Sequence, residues 1–259
     1  MTIEYKGVPI FFTDEGKGSA VVLLHGFLES TVMWKDLKAE VIRKNRVICI
    51  DLLGHGQSGC LGYIHTMEEM AEAVNAVISH LKIRRLVCVG HSMGGYVGLA
   101  FGELYADKLK GLCLMNSTAR ADSDEKKMNR DRAIVAVKEN YKTFVRLAIS
   151  NLFRPKNRSL MKEEINAVKE EALKTPLQGI IAALEGMKIR NDREILIHFS
   201  PFKKMMVIGK KDSVLSFEDV IEQTIGADID VLKLSDGHMS HIENKEEFTY
   251  GILQFIEKC

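Results

Sequence analysis

The sequence predicts an α/β fold with a mainly parallel central sheet that is flanked by helices. Short, fully apolar runs such as residues 20–24 and 86–89 are typical of strands that are buried on both faces. Segments with helical spacing separate these runs, and residues 66–81 begin with a capping box formed by Thr66 and Glu69. A chain of 259 residues that is 46% hydrophobic is long and apolar enough to build a large core around such a sheet.

Strands and helices alternate along most of the chain. The predicted strands are residues 2–5, 8–12, 20–24, 47–50, 86–89, 109–115, 205–208 and 231–234. The predicted helices outside the middle of the chain are residues 34–42, 66–81, 95–104, 217–225 and 248–256. The first two strands turn near Gly7 and form a hairpin, whereas the alternation of the later strands with helices favours parallel pairing. Residues 119–193 contain helical patterns and no strand.

Composition and charge exclude several functional classes. The formal net charge of +1 gives no electrostatic basis for nucleic-acid binding. No apolar stretch is long enough to span a bilayer, and the first residues lack the apolar core of a signal peptide. The five cysteines include no C-x-x-C pair, which favours a reducing compartment. We therefore expect a cytoplasmic protein, present as a monomer or a homodimer.

The segment around Ser92 carries the clearest chemical signal. An apolar strand at residues 86–89 is broken by Gly90-His-Ser-Met-Gly94, and helical spacing follows. A strand, a G-x-S-x-G turn and a helix together form a nucleophile elbow. Glycines at 90 and 94 let the strand and the helix come close, and the turn places Ser92 in a strained conformation at the positive end of the helix. Ser92 is therefore the predicted nucleophile.

A serine hydroxyl needs a base to accept its proton and an acid to orient that base. In chains with this elbow, the acid and then the histidine follow the serine at late strand ends. Asp212 follows the penultimate predicted strand, and His238 follows the last one. Asp219, inside a predicted helix, and His241 are the rival candidates. An earlier strand end carries Asn116 rather than an acid, which strengthens the choice of Asp212.

Negative charge that develops on a carbonyl oxygen needs backbone N–H donors. The elbow offers the amide of Met93, and the loop after the strand at 20–24 offers the amide of Phe27. The histidines show no H-x-H or H-x-x-x-H spacing of the kind that zinc sites use. We therefore expect neither a metal ion nor another cofactor.

Five motifs, taken in order, resemble those of the α/β-hydrolase superfamily. They are His25-Gly26-Phe27, Asp51-x-x-Gly-His-Gly-x-Ser58, Gly90-His-Ser-Met-Gly-Gly95, Gly209-x-x-Asp212 and Gly237-His238-x-x-x-x-Glu243. The resemblance covers nearly the whole chain. One departure is Glu243-Asn-Lys245, where the superfamily usually has Glu-x-Pro, and it changes no catalytic atom.

The resemblance implies the α/β-hydrolase fold, with a core domain formed by residues 1–118 and 194–259. It also implies that residues 119–193, which we call the cap segment, are a helical cap inserted in the core and covering the site. Ser92 would be the nucleophile, Asp212 the acid and His238 the base. The amides of Phe27 and Met93 would form the oxyanion hole.

The residue at the nucleophile position distinguishes among members of this superfamily. Members that open epoxides or remove halides carry aspartate there, so Ser92 favours acyl transfer. The resemblance thus implies a carboxylesterase-like serine hydrolase whose partner is a small-molecule ester. The bond cleaved would be a carboxylic ester, a thioester or a lactone with a small, apolar acyl group. We expect Trp34, Phe144 and Phe153 to line the acyl pocket.

Other activities on the same fold are alternatives. His25-Gly-Phe-Leu28 is similar to the menaquinone-pathway lyase of the superfamily, in which the serine would never become acylated. Hydrolases of C–C bonds also keep the serine. A binding receptor with low turnover is a further alternative, and it ranks last because all the catalytic parts are present.

Overall fold

A central sheet of eight strands organises the computed structural model, which describes residues 1–259. The strands are β1 (Thr2–Tyr5), β2 (Val8–Gly16), β3 (Ala20–Leu24), β4 (Arg46–Ile50), β5 (Leu86–His91), β6 (Leu109–Met115), β7 (Lys203–Gly209) and β8 (Asp230–Leu234). Their order across the sheet is β1-β2-β4-β3-β5-β6-β7-β8. The β1–β2 and β2–β4 pairs are antiparallel, and every other pair is parallel. The predicted mainly parallel sheet is confirmed.

Helices connect the parallel strands. They are α1 (Lys35–Val41), α2 (Met67–His80), α3 (Met93–Leu104), α4 (Asp124–Glu139), α5 (Tyr141–Leu152), α6 (Lys162–Ala172), α7 (Leu177–Lys188), α8 (Glu194–Phe199), α9 (Phe217–Glu222), α10 (Ser240–Glu243) and α11 (Lys245–Lys258). One half of the predicted capping box is present at α2, where the Thr66 hydroxyl accepts a hydrogen bond from the Glu69 amide at 3.0 Å, while the Glu69 carboxylate binds Lys6. The sequence did not predict α8 and α10, which are short helices of six and four residues.

Each face of the sheet buries its own set of apolar side chains. In β3, Val22 and Leu24 pack in a cluster that includes α2 and α3, whereas Val21 and Leu23 pack in a second cluster that includes α1 and α11. The alternation follows from the two-residue period of a strand. Covering both faces leaves the carboxyl ends of the parallel strands as the place where loops can build a site.

The cap segment lies between β6 and β7 in the chain and contains α4 to α7 with no strand. Its buried apolar residues, among them Ile134, Val145 and Ile149, join the same cluster as α2 and α3. None of the helices of the protein combines the length and the apolar character that crossing a membrane requires.

Candidate active site

Ser92 occupies a tight turn between β5 and α3. Its backbone has φ of 48° and ψ of −112°, in the left-handed half of the map that residues other than glycine rarely adopt. A Cβ on Gly90 would collide with the backbone of Gly94, and a Cβ on Gly94 would collide with the Leu24 carbonyl. The sequence therefore needs glycine at both positions for the turn to close. The Ser92 side chain caps no amide of α3, which leaves its hydroxyl available for other partners.

Asp212 and His238 come together at the ends of β7 and β8. His238 Nδ1 donates to Asp212 Oδ2 at 2.8 Å, and both side chains are 2% exposed. The other carboxylate oxygen, Asp212 Oδ1, accepts from the amides of Val214 at 2.8 Å and Leu215 at 3.1 Å. These contacts fix the orientation of the carboxylate, so the imidazole has one preferred position.

The electrostatic environment keeps Asp212 ionised. Burial alone would raise the pKa of this carboxyl, but the charge of His238 and the hydrogen bond from it outweigh burial and lower the pKa. An ionised carboxylate can only accept, so Nδ1 of His238 carries the proton of this hydrogen bond. In neutral His238 the other nitrogen, Nε2, then carries a lone pair that can accept a proton.

Asn116 is a member of the site whose role could not be predicted from the sequence. It lies directly after β6, and its Nδ2 donates to Asp212 Oδ2 at 3.1 Å and to the Gly237 carbonyl at 3.2 Å. It therefore connects the acid to the loop that carries His238. Its position at a strand end was visible in the sequence, but an amide there gave no sign of which groups it would join.

The two rival candidates occupy other environments. His241 makes no hydrogen bond to Asp212, and its ring packs against Trp34 with centroids 6.4 Å apart. Burial lowers the pKa of His241 to about 4. Asp219 is exposed in the first turn of α9. Asp212 is thus paired with His238 and with neither rival.

Two backbone amides near Ser92 have no acceptor within the protein. Met93 begins α3, so its N–H has no partner in the helix, and Phe27 lies in the loop after β3. Neither amide takes part in the hydrogen bonds of loops and turns. The Gly26 amide, by contrast, donates to Glu29 Oε2 at 2.7 Å, which anchors this loop.

Ser92 and His238 line one cavity of about 100 Å³. No hydrogen bond joins the Ser92 hydroxyl to the imidazole in this arrangement, and in unliganded enzymes such contacts are often long. The cap segment supplies four of the lining residues from α4, α5 and α7. The full lining is Phe27, Leu28, His91, Ser92, Tyr96, Arg130, Ala148, Leu152, Met187, Val214 and His238.

The expected acyl-pocket residues are placed elsewhere, and the pocket prediction needs correction. Trp34 is fully buried in the cluster on the α1 and α11 face of the sheet. Phe153 is fully buried in the other cluster, and Phe144 is half-buried against it. None of the three lines the cavity at Ser92. Apolar residues at helical spacing showed that these side chains would be buried, but not which face of the molecule would bury them.

No three His, Cys, Asp or Glu side chains come close enough together to hold a metal ion. The one arginine that lines the cavity, Arg130, is held by the carboxylate of Asp122. Asp122 also binds Arg190 at 2.5 Å, and these two side chains are 1% and 3% exposed. The Arg190 guanidinium lies over the ring of Tyr96, 4.1 Å from its centroid. Arg130 and Tyr96 line the cavity, and Asp122 and Arg190 hold them from behind.

We expect Asp122→Asn to lower the free energy of unfolding by about 3 kcal/mol at neutral pH, because it leaves two arginines without their counter-charge. Burial alone would raise the pKa of Asp122, but the two arginines outweigh it and lower the pKa. A lowered pKa contributes stability above the ordinary value of about 3.9, and that contribution is lost as the pH falls through the folded-state value. Urea unfolding at neutral and acid pH should therefore show a stability difference between the variant and the wild type that shrinks in acid.

Asp124→Asn, at a side chain that is 98% exposed, is the matched control and should change the free energy of unfolding little. Equal stability of the two variants at neutral pH would contradict this prediction.

Comparison with known proteins identifies the family. Residues 19–169 match the family model of the alpha/beta hydrolase fold. The protein is an α/β-hydrolase. The solved structure of a thermophilic esterase from Thermogutta terrifontis, with malate bound, matches this α/β-hydrolase with a TM-score of 0.89 and 31% sequence identity. That match covers 99% of this chain and 96% of the esterase chain, and the predicted fold is confirmed.

Two curated relatives carry different activities in their names. The dihydrolipoyllysine-residue acetyltransferase component of the acetoin cleaving system of Pseudomonas putida is 26% identical over 93% of this chain, and the match spans 64% of that longer protein. The 2-hydroxy-6-oxo-6-(2'-aminophenyl)hexa-2,4-dienoic acid hydrolase of Metapseudomonas resinovorans is 24% identical over 97% of this chain and 89% of its own length. This α/β-hydrolase is therefore similar to proteins of more than one reaction type.

Proposed function

We propose that the protein is a serine hydrolase that cleaves a carboxylic ester, a thioester or a lactone through an acyl-enzyme on Ser92. The observation that carries the proposal is the 2.8 Å bond between His238 and Asp212, with His238 and Ser92 lining one cavity. This is the acid–base–nucleophile arrangement that activates a hydroxyl. The likeness to a solved esterase supports ester cleavage over the other reactions of the family.

The proton transfers follow from the contacts of His238. Its Nε2 takes the proton of the Ser92 hydroxyl as the oxygen attacks the substrate carbonyl carbon. The ionised Asp212 stabilises the imidazolium that forms. The imidazolium then gives its proton to the leaving alcohol, and a water molecule, activated by the same nitrogen, hydrolyses the acyl-enzyme.

The free amides of Phe27 and Met93 are the proposed oxyanion hole. They have no other acceptor, so they can bind the negative carbonyl oxygen without first breaking an existing hydrogen bond. Fixed donors of this kind are favourable because they need no reorganisation during the reaction, and losing one typically costs about 3 kcal/mol in the barrier.

The cavity favours a small, apolar acyl group. Ligand pockets usually exceed about 300 Å³, so a cavity of about 100 Å³ holds only part of a substrate unless the cap segment moves. Apolar side chains, including Leu28, Leu152 and Val214, form much of its wall. We therefore propose that short acyl chains react faster than long ones.

Cleavage of a C–C bond is the second candidate, because the relative from Metapseudomonas resinovorans matches the chain over almost its whole length. In that case, or in a lyase, Ser92 need not be acylated by a simple ester.

Two measurements separate the ester hydrolase from these alternatives. The first is turnover of p-nitrophenyl esters from acetate to dodecanoate, and the second is mass spectrometry after treatment with a p-nitrophenyl phosphonate. We expect acetate or butyrate to be the best substrate and a phosphonyl adduct on Ser92. Absence of both ester turnover and adduct would reject the serine hydrolase.

A further inference from the structure

A second buried pair of an acid and an imidazole lies beside the proposed catalytic residues. His91 Nδ1 lies 2.6 Å from Glu29 Oε2, and His91 Nε2 lies 3.0 Å from the backbone carbonyl oxygen of His238. The side chains of His91 and Glu29 are 1% and 2% exposed. Neither residue has a part in the reaction steps described above, so this buried pair needs its own explanation.

Counting protons shows the charge of the pair. The carbonyl of His238 can only accept, so His91 Nε2 carries a proton. Glu29 Oε2 already accepts from the Gly26 amide at 2.7 Å, as an ionised carboxylate does. With Glu29 ionised, the contact to Nδ1 needs a second proton on His91. An imidazole with both nitrogens protonated is an imidazolium. In the alternative, with neutral His91 and neutral Glu29, the carboxyl proton would lie on Oε2, the same oxygen that accepts from the Gly26 amide.

The surroundings support this charge state. Burial alone would raise the pKa of Glu29, but the charge of His91 outweighs it and lowers the pKa to about 2. Burial alone would lower the pKa of His91, but the charge of Glu29 outweighs it and raises the pKa. The other titratable groups that face His91 or Glu29 are His25, His55, Asp212, His238 and His241. Burial lowers the pKa of His25, of His55 and of His241, so Glu29 and Asp212 supply the negative charge near this imidazolium.

We propose that Glu29 and His91 form a buried carboxylate–imidazolium pair that positions the three segments of the catalytic site. Glu29 accepts a hydrogen bond from the Gly26 amide, which lies next to Phe27 in the loop after β3. We call this loop the oxyanion loop. His91 precedes Ser92 in the chain and holds the carbonyl of His238. The role as a positioning device rests on the proposed function, whereas the charge of the pair does not.

Gly26 shows how closely these segments approach one another. A Cβ at this position would lie 2.5 Å from Glu29 Oε2 and 2.7 Å from His91 Nδ1, closer than side chains approach in proteins. The oxyanion loop therefore sits directly on the pair. Any shift of the pair moves the loop, the elbow and the histidine together, and a misplacement of about 1 Å can cost about 100-fold in rate.

The charge state is tested by nitrogen NMR of the protein labelled with ¹⁵N-histidine. At about pH 8, above the ordinary histidine pKa of about 6.5, we expect one histidine with both ring nitrogens protonated. Its signals should disappear in His91→Gln, which assigns them. A wild-type spectrum in which every histidine carries a single N–H would overturn the proposal. The measurement uses no substrate, so it stands whether or not Ser92 is the nucleophile.

The positioning role is tested by ester kinetics on Glu29→Gln. The neutral amide removes the carboxylate charge, so the imidazolium signals should be lost and kcat should fall about 10- to 100-fold, with a smaller change in KM. Glu29→Asp keeps the charge and should recover the signals and part of kcat. The control is Glu171→Gln, which changes a glutamate that bonds Ser30, the neighbour of Glu29, and should leave both readouts unchanged.

Two outcomes would overturn the positioning role. One is a Glu29→Gln enzyme that loses the imidazolium but keeps kcat within a few-fold of the wild type. The second variant, His91→Gln, serves if Glu29→Gln does not fold, because its neutral amide removes the imidazolium. A His91→Gln enzyme that keeps kcat within a few-fold of the wild type would then overturn the positioning role. Failure of the proposed function has a different signature, namely ester turnover that survives the loss of the Ser92 hydroxyl.

Discussion

Replacing Ser92 with alanine is expected to lower kcat for a short-chain p-nitrophenyl ester by about a million-fold. The change removes the one oxygen that can form the acyl-enzyme and leaves the fold intact, because the Ser92 side chain caps no amide of α3. The residual rate should come from the oxyanion donors and from substrate binding alone. Steady-state kinetics, with circular dichroism to verify folding, would measure the effect.

A matched serine provides the control for this variant. Ser79 is exposed on α2, and Ser79→Ala should keep the wild-type rate. If Ser92→Ala retained ester turnover within a few-fold of Ser79→Ala, another residue would have to be the nucleophile. The phosphonate adduct should also be present in Ser79→Ala and absent in Ser92→Ala.

Asp212→Asn is expected to lower kcat by about 10,000-fold while the fold is maintained. The reason lies in the two oxygens of the carboxylate. The amides of Val214 and Leu215 donate to Oδ1, so the oxygen of an asparagine would face them. Its NH₂ group would then face His238 Nδ1, which favours the tautomer with the proton on Nε2. That nitrogen could no longer accept the proton of Ser92.

The control for this change is Asp219→Asn, in the exposed first turn of α9. It removes the same charge 7 residues later in the chain and should alter kcat by no more than a few-fold. Similar losses in the two variants would mean that Asp212 acts through the overall charge and does not orient His238. Ester kinetics at one pH and equal protein concentration decide between these outcomes.

The bounds of two strands that are buried on both faces, β3 and β6, could be predicted to the residue. Residues 20–24 are all apolar, and residues 109–115 are apolar apart from Lys110 and Gly111; β3 and β6 occupy these same residues. The strand at residues 8–12 was predicted too short, because Thr13 to Gly16 are polar or small and are held by pairing with β4. The spacing of the elbow likewise located Ser92, since few sequences can make that turn.

Contacts between distant segments could not be predicted in the same way. Glu29 and His91 are 62 residues apart and meet only because β3 and β5 are neighbours in the sheet. Asn116 contacts Asp212 across 96 residues for a similar reason. Nothing local distinguishes these polar residues from ordinary loop residues, whereas Asp212 and His238 could be located because each follows a recognisable strand.

The order of strands has a consequence for the protein as it is synthesised. Ser92 follows β5 in the middle of the chain, while Asp212 and His238 follow β7 and β8 near its end. A ribosome-bound chain that has emerged only as far as β6 would carry the proposed nucleophile without its base. Reactivity toward esters would therefore begin only after β8 has paired with β7. An incomplete product of translation would not react with esters.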